Sequence, residues 1–223
     1  MITLHLVRHG QASYGGAIYD RLSPLGHQQA ARLGPVLRPQ LDAVYSGPHE
    51  RQRDTATALG DAPTLLPEFA EYPAFELLRA AVPDLAAREP TFAALAGAGD
   101  GAAVDPQLLD RAFVRIIGAW AAGELNPDGI ERYDAFCARV QRGLMLLCDR
   151  SGPATIAAVT SAGPISVALA LATGAPLSEA LRRGRMVRNA SVTTLTLRPG
   201  APELTLLTYN DVSHLPDDHH THR

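Results

Sequence analysis

The segment Leu6-Val7-Arg8-His9-Gly10-Gln11 decides the fold class of this 223-residue chain. Together with Ile2 and Leu4 it forms an apolar run that is typical of a buried β-strand, and the run stops abruptly at an arginine, a histidine and a glycine. Gly10 lets the backbone turn sharply there, because glycine has no side chain to restrict it. Open α/β sheets bind their ligands beyond the carboxyl ends of their strands, so this segment predicts a ligand site.

Arg8 and His9 supply chemistry that suits a phosphate ligand. An imidazole can act as a nucleophile or as a general acid or base. A guanidinium can hold a phosphate or a carboxylate through two parallel hydrogen bonds. On this segment alone, an edge strand that ends in two polar surface residues is an open alternative.

Strand and helix patterns alternate along the remainder of the chain. Ser23 and Pro24 are typical of a helix N-cap and a first helical position. The continuous apolar run at residues 154–160 is typical of a central buried strand. The alternation predicts an α/β fold, a three-layer α/β/α sandwich around a mostly parallel sheet. Further strands are predicted at residues 41–45, 65–66, 191–197 and 203–209, and further helices after residue 48 and at 130–150, 164–173 and 176–185.

The domain organisation is predicted to be one domain over residues 1–223. Residues from about 67 to 130 are rich in alanine and interrupted by prolines, with a glycine-rich break at 97–101. Because no second set of strands accompanies them, they are interpreted as a helical cap insertion. The polar, histidine-rich tail at about 216–223 is expected to be disordered rather than to bind a metal.

Composition restricts the possible functions. An apolar fraction of 46% and a charged fraction of 19% are typical of a soluble globular protein. The net charge of −3 gives no indication of a nucleic-acid or membrane partner. The 20 basic residues are all arginines, which excludes P-loop and Schiff-base lysines. Anions must therefore be bound by arginine, histidine and backbone amides, and neither a cofactor nor a metal is implied.

The location is expected to be cytoplasmic. Cys137 and Cys148 lie on one predicted helix, about three turns apart, which is too far for a disulfide. Free thiols are typical of a reducing compartment. The first apolar run is too short for a secretory signal, and no run approaches transmembrane length.

Four motifs resemble the histidine phosphatase (phosphoglycerate mutase-like) superfamily. They are the opening Leu6–Gln11, the Asp20…Leu22-Ser23-Pro24-Leu25-Gly26…Gln29-Ala30 pattern, Ser46-Gly47-Pro48-His49-Glu50-Arg51…Thr55-Ala56, and Asn189–Leu195. Arg-His-Gly alone is a weak signal. Arg-His-Gly at the end of the first strand, followed about forty residues later by Ser-x-Pro-x-x-Arg at the start of a helix, is specific.

The resemblance implies a phosphoric monoester hydrolase that acts on a small phosphorylated substrate. His9 would attack phosphorus and become a phosphohistidine, which water then hydrolyses. Arg8 and Arg51 would hold the non-bridging phosphate oxygens, whose spread charge favours planar donors that are always charged. Phosphoglycerate mutase activity is less favoured, because the extended insert of the mutases is not matched.

The resemblance also implies a carboxylic acid that protonates the leaving oxygen. Glu71 is favoured over Glu68 because Phe69-Ala70-Glu71 better fits the family's apolar-x-Glu step. The residues expected to bind phosphate are Arg8, Gln11, Arg51, Ser161, Ala162 and Gly163.

The chain departs from the family pattern after the central strand, where a Ser-His-Gly step is expected. Ala162 stands where the second catalytic histidine should be, and losing one such donor typically costs ~10²–10³ in rate. The chain could be a working but atypical phosphatase in which Thr160, Ser161 or another histidine partly fills the gap. It could instead be a pseudo-enzyme that binds a phosphorylated ligand without turnover. Thirdly, the alanine could have been introduced to trap a complex, although the unusual Pro164 favours a natural variant.

Another histidine could replace the missing one. His49 lies in the segment that delivers Arg51 and could face the phosphate, whereas His214 matches a His-Leu step that is interpreted as structural. The other histidines are expected to be ordinary: His5, His27, His219, His220 and His222. The arginines of the 182–188 segment are interpreted as surface charges at a helix C-terminus. The substrate's identity and the oligomeric state are left open.

Overall fold

The computed structural model describes residues 1–13, 20–96, 105–149, 152–198 and 201–222. The glycines at positions 15 and 16, and the glycine-rich break at 97–101, lie outside the described residues.

A six-stranded sheet carries the fold, with strand order β3-β2-β4-β1-β5-β6. The pairs β3–β2, β2–β4 and β4–β1 are parallel, and β5 and β6 are antiparallel to their neighbours. β1 therefore lies inside the sheet, and the edge-strand alternative is wrong. The mostly parallel α/β sheet is as predicted. The strands are β1 Ile2–Arg8, β2 Ala43–Ser46, β3 Thr64–Leu65, β4 Ala154–Thr160, β5 Val192–Arg198 and β6 Ala201–Asp211.

Eight α-helices accompany the sheet within the described ranges. As predicted, Ser23 caps the first helix by accepting a hydrogen bond from the Gly26 amide, and Pro24 opens it. The helix after β4 begins at Ala162, two residues earlier than predicted, because a proline is tolerated in the first turn of a helix. The helices are α1 Pro24–Leu37, α2 Glu50–Thr57, α3 Ala74–Arg88, α4 Ala93–Ala96, α5 Pro106–Ala121, α6 Tyr133–Cys148, α7 Ala162–Thr173 and α8 Leu177–Gly184.

The chain divides into two compact units, one formed by residues 1–71 and 137–223 and the other by residues 72–136. The smaller unit thus begins and ends about five residues later than the predicted insertion. Its core contains the fully buried Trp120, whose ring packs against Tyr72, Tyr133 and Phe136. Trp120 therefore serves as core packing of this unit, as expected.

The C-terminal residues are ordered, so the prediction of a disordered tail is wrong for residues 216–222. A 3₁₀ turn at Asp217–His219 is followed by backbone and side-chain hydrogen bonds to Gln29 and Asn189. Within the described residues, Cys137 and Cys148 are not joined by a disulfide. Among the helices of the described ranges, none has the length and apolar character that crossing a membrane requires.

Candidate active site

The backbone that follows β1 is held by hydrogen bonds on every side. We call residues 9–11 the His9 loop. The His9 amide donates to the carbonyl oxygen of Thr160 at 2.9 Å, and the His9 carbonyl accepts from the Ala190 amide at 3.2 Å. The Gly10 amide donates to Thr55 Oγ1 at 3.0 Å. The end of β4, the turn before β5 and helix α2 thus fix the loop from which the imidazole projects.

Gly10 is required by close packing as well as by the turn. A Cβ atom at this position would lie 2.4 Å from the carbonyl oxygen of Gly26, and a Cβ at Gly26 would lie 2.1 Å from the carbonyl oxygen of Gln11. These contacts are to backbone atoms, which cannot move aside as a flexible side chain can. The two glycines therefore let the start of α1 lie directly against the His9 loop.

The hydrogen bonds of His9 define its tautomer. Nδ1 lies 2.7 Å from the Gly10 carbonyl oxygen, which can only accept, so Nδ1 carries the proton. Nε2 then has a free lone pair, and it accepts from Nε of Arg51 at 3.2 Å. Burial, followed by the positive charges of Arg51 and Arg8, holds the pKa of His9 well below its usual 6.5. The imidazole is therefore neutral at pH 7, which is the form that can act as a nucleophile.

Arg51 lies in the first turn of α2 and is only 6% exposed. Besides its hydrogen bond to His9, it donates from Nη1 to Oδ1 of Asp20 at 2.6 Å. The other oxygen of Asp20 accepts from the Glu50 amide at 2.9 Å. Asp20 thus joins the start of α2 to the guanidinium and fixes the plane of the arginine beside the imidazole.

Arg8 is half-buried and donates from Nη1 to the carbonyl oxygen of Val187. Its charge, like that of Arg51, contributes to the low pKa of His9. The two predicted phosphate-binding arginines are therefore both within electrostatic range of the imidazole, as a shared anion site requires.

The side chain of Glu71 contacts the first turn of α7. Its two carboxylate oxygens are 3.1 and 3.3 Å from the Gly163 amide, which donates to them. Glu68 is placed differently: its carbonyl oxygen accepts from Arg139 Nη1 at 2.8 Å, and its Cβ faces Gly143 of α6. Of the two glutamates considered, Glu71 is thus the one beside Ala162.

The side chain of Gln52 links α2 to Ser161, the residue that follows β4. Its Nε2 donates to Ser161 Oγ at 2.8 Å and to the Phe69 carbonyl at 3.2 Å, and its Oε1 accepts from the His49 amide. Ser161 is fully buried, and its predicted role in binding phosphate stays a prediction. Thr160 is also fully buried and donates its hydroxyl to the same Phe69 carbonyl at 2.8 Å.

The side-chain amide oxygen of Gln11 already has a hydrogen-bond donor. Oε1 accepts from the Ser23 hydroxyl at 2.8 Å. Within the described residues its Nε2 makes no hydrogen bond, so the predicted phosphate contact would come from that nitrogen.

Two histidines lie within electrostatic range of the site, and only one was expected there. His49 is the N-cap of α2, its Nδ1 is 3.7 Å from Oδ2 of Asp20, and its charge contributes to the lowered pKa of His9. His222 belongs to the ordered tail. Burial lowers its pKa, and so do the charges of Arg188 and Arg8.

The remaining cationic candidates have structural or surface roles. Arg182 and Arg183 both pair with Glu179 on exposed α8, as the surface interpretation expects. His5 bonds the Thr194 hydroxyl on the neighbouring strand at 3.1 Å, and burial lowers the pKa of His214. In the parts of the chain that the structure describes, no group of three or more His, Cys, Asp or Glu side chains could hold a metal.

Sequence reasoning gave no role to several residues that build the site. Gln29 stands on the buried stripe of α1 next to Ala30 and Leu33, and Gln52 stands on the buried stripe of α2. A polar residue on an otherwise apolar stripe must be hydrogen-bonded inside the protein, and this signal could have identified Gln29. The buried face of α2 is itself mostly polar, so no such signal marks Gln52. The side chains without an assigned role are Asp20, Gln29, Gln52, Thr55 and Asn189.

Three solved structures are similar to the chain over nearly its whole length. Bacillus stearothermophilus YhfR has a TM-score of 0.68 at 20% identity, over 96% of this chain and 99% of its own. A phosphoserine phosphatase mutant from Entamoeba histolytica, in complex with phosphoserine, has a TM-score of 0.65 at 19% identity, over 97% and 100%. A mycobacterial glucosyl-3-phosphoglycerate phosphatase with inorganic phosphate has 0.65 at 20% identity, over 96% and 99%. At these identities the likeness establishes a shared fold.

No match was found among curated proteins. The family model described as histidine phosphatase superfamily (branch 1) matches residues 4–94 and 105–210, which is most of the chain and includes His9, Arg51 and Glu71. The chain therefore belongs to the histidine phosphatase superfamily.

Proposed function

We propose that the chain is a phosphoric monoester hydrolase that acts through a phosphohistidine on His9. The observation that carries the proposal is the neutral imidazole whose Nε2 lone pair meets Arg51 in a buried site. Membership of the superfamily supports it. Two similar structures contain phosphoserine and inorganic phosphate, which supports a small phosphorylated substrate.

In the first proposed step, Nε2 of His9 attacks phosphorus in line with the ester oxygen. The P–N bond forms as the P–O bond breaks, and the leaving oxygen takes a proton from the carboxylic acid form of Glu71. The Nε group of Arg51 transfers its hydrogen bond from the imidazole to a phosphoryl oxygen. Arg8 and Arg51 offset the charge on the equatorial oxygens.

In the second step, water attacks phosphorus and the P–N bond breaks. The Glu71 carboxylate takes the proton of the attacking water, so the acid is regenerated. Nε2 recovers its lone pair, while Nδ1 keeps its proton on the Gly10 carbonyl throughout. Inorganic phosphate and the free alcohol are the products.

We expect the Ala162→His variant to hydrolyse phosphomonoesters faster than the native chain, by about 10²-fold. Ala162 is the first residue of α7 and only partly buried, so an imidazole there can supply the donor that the family pattern has at this position. The measurement is kcat on an aryl phosphate. Ala162→Leu, which adds bulk without a donor, is the control and should show no gain. Equal rates for Ala162→His and Ala162→Leu would contradict this role for the missing histidine.

The pH dependence of kcat/KM should follow the lowered pKa of His9. Protonation removes the nucleophile, and burial together with Arg51 and Arg8 disfavours protonation. Activity should therefore persist as pH falls through 6.5 and decline only at lower pH. The check is a profile of kcat/KM between pH 4 and 8, corrected for the second ionisation of the substrate phosphate. An acidic limb centred at or above 6.5 would contradict the assignment to His9.

The proposed function is tested by assaying folded protein against a panel of phosphomonoesters. Samples are quenched and digested at alkaline pH, where phosphohistidine is stable, and are then analysed for phosphorylated peptides. We expect release of phosphate and an acid-labile phosphoryl group on the peptide that contains His9. Absence of both turnover and labelling across the panel would overturn the proposal.

A second candidate function is non-catalytic binding of a phosphorylated ligand. Two observations favour it. The Ala162 side chain supplies no hydrogen-bond donor, and the Gly163 amide already donates to the Glu71 carboxylate. A thermal-shift screen of phosphorylated metabolites distinguishes the two functions. Stabilisation without product release supports binding alone, whereas stabilisation with release supports the hydrolase.

A further inference from the structure

Gln29 connects the His9 loop to the C-terminal segment at residues 216–222, which we call the C-terminal strap. This side chain is fully buried on α1. Its Oε1 accepts from the Gln11 amide at 2.8 Å. Its Nε2 donates to the His219 carbonyl at 2.7 Å and to the Thr221 hydroxyl at 3.0 Å. One side of the amide holds the loop and the other side is held by the strap.

Asn189 makes the same kind of connection from the opposite direction. It is also fully buried, and its Nδ2 donates to the His9 carbonyl oxygen at 3.3 Å. Its Oδ1 accepts from the Thr221 hydroxyl at 2.9 Å, and its backbone amide donates to the Thr221 carbonyl at 2.8 Å. The strap thus closes a continuous path of hydrogen bonds around the His9 loop.

The Thr221 hydroxyl joins two amides whose orientations are set by backbone groups. The His9 carbonyl can only accept, so Asn189 Nδ2 faces it, and Asn189 Oδ1 faces the hydroxyl and accepts its single hydrogen. The Gln11 amide can only donate, so Gln29 Oε1 faces it, and Gln29 Nε2 faces the His219 carbonyl and the oxygen of the hydroxyl. Rotating either amide by 180° would oppose two donors or two acceptors in a fully buried place, where an unmatched polar group is unfavourable.

We propose that Thr221 is a positioning residue for His9, and that the C-terminal strap is therefore part of the catalytic apparatus. The inference rests on the proposed hydrolase function and extends it to a segment whose composition resembles a disordered tail. Thr221 acts through Gln29 and Asn189 and touches no reacting atom. Its contribution is to hold Nε2 in line with the phosphorus, where a displacement of about 1 Å can lower the rate by about 10²-fold.

The test compares Thr221→Val, which keeps the shape and removes the hydroxyl, with Thr221→Ser, which restores it. Thr57→Val is the matched control, because the Thr57 hydroxyl bonds only the Asp54 carbonyl on an exposed turn. We expect kcat of Thr221→Val to fall about tenfold with KM changed less than about twofold, because orientation of the nucleophile is lost and not substrate affinity. The kcat of Thr221→Ser should lie within about twofold of the native value. The kcat of Thr57→Val should equal the native value.

Hydrogen exchange at the Gln11 amide provides a measurement that needs no turnover. In Thr221→Val this amide should exchange roughly tenfold faster than in Thr57→Val, because the Gln29 side chain that accepts from it loses one of the two partners that hold its Nε2. Native kcat in Thr221→Val, or equal exchange in the two valine variants, would overturn the proposal. If the native chain lacks all turnover but the difference in exchange is present, the hydrolase function fails while the structural link between strap and loop stands. In that case Thr221 is overturned as a catalytic positioning residue.

Discussion

Replacing His9 with alanine will lower phosphomonoester turnover by about 10⁴-fold or more and will remove the phosphoenzyme. The proposed reaction forms its only covalent intermediate on Nε2 of this residue, and no other histidine is both buried and hydrogen-bonded to Arg51 within the described residues. The measurement is kcat together with phosphopeptide analysis of samples quenched at alkaline pH, using protein whose melting temperature shows that it is folded.

His27 provides the control for this substitution. It is an exposed histidine of α1, so His27→Ala should keep native kcat and the native phosphopeptide. If His9→Ala kept an acid-labile phosphoryl group at the native level, a different nucleophile would have to be sought.

Replacing Arg51 with lysine should lower kcat by about 10³-fold, even though the charge is kept. Arg51 uses Nε toward His9 and Nη1 toward Asp20 at the same time, a geometry that a planar guanidinium provides and a single ammonium cannot. We expect the loss in kcat to exceed the change in KM. The negative charge becomes spread over the equatorial phosphoryl oxygens in the transition state, so the guanidinium stabilises the transition state more than the bound substrate.

Arg53 is the matched control because it lies on the same helix and is exposed. Arg53→Lys should retain native kcat and KM. Similar losses in both lysine variants would show that α2 is sensitive to any substitution, and the specific role of the Arg51 guanidinium would be contradicted.

The features that sequence could predict are those that depend on local pattern. The strand at residues 154–160 is bounded as predicted, because a continuous apolar run between Gly-Pro steps has few alternatives. Ser23 and Pro24 were identified as cap and first helical residue because both preferences arise within one turn of helix. The His9 motif was found for the same reason, since its chemistry and its strand lie in one short segment.

The features that sequence could not predict depend on distant partners. His219 and Thr221 meet Gln29 across most of the chain, and no local pattern indicates that a polar tail will be held by a buried amide. The role of Asp20 depends on Arg51, which lies on another element. Helix α7 begins at Ala162, so two predicted phosphate ligands, Ala162 and Gly163, lie in its first turn. Pro164 does not mark the helix start, because a proline is tolerated anywhere in the first turn.

The position of β1 in the sheet has a consequence for how the protein comes to be made. Ile2 pairs with Ala154 on one side and with Leu197 on the other, so β1 has both neighbours only after the chain has been translated as far as β5. Pairings between residues so distant in sequence form slowly, because a long loop must close first. During synthesis the apolar β1 strand, which ends directly before His9, therefore stays unpaired, and we expect a chaperone to bind this segment.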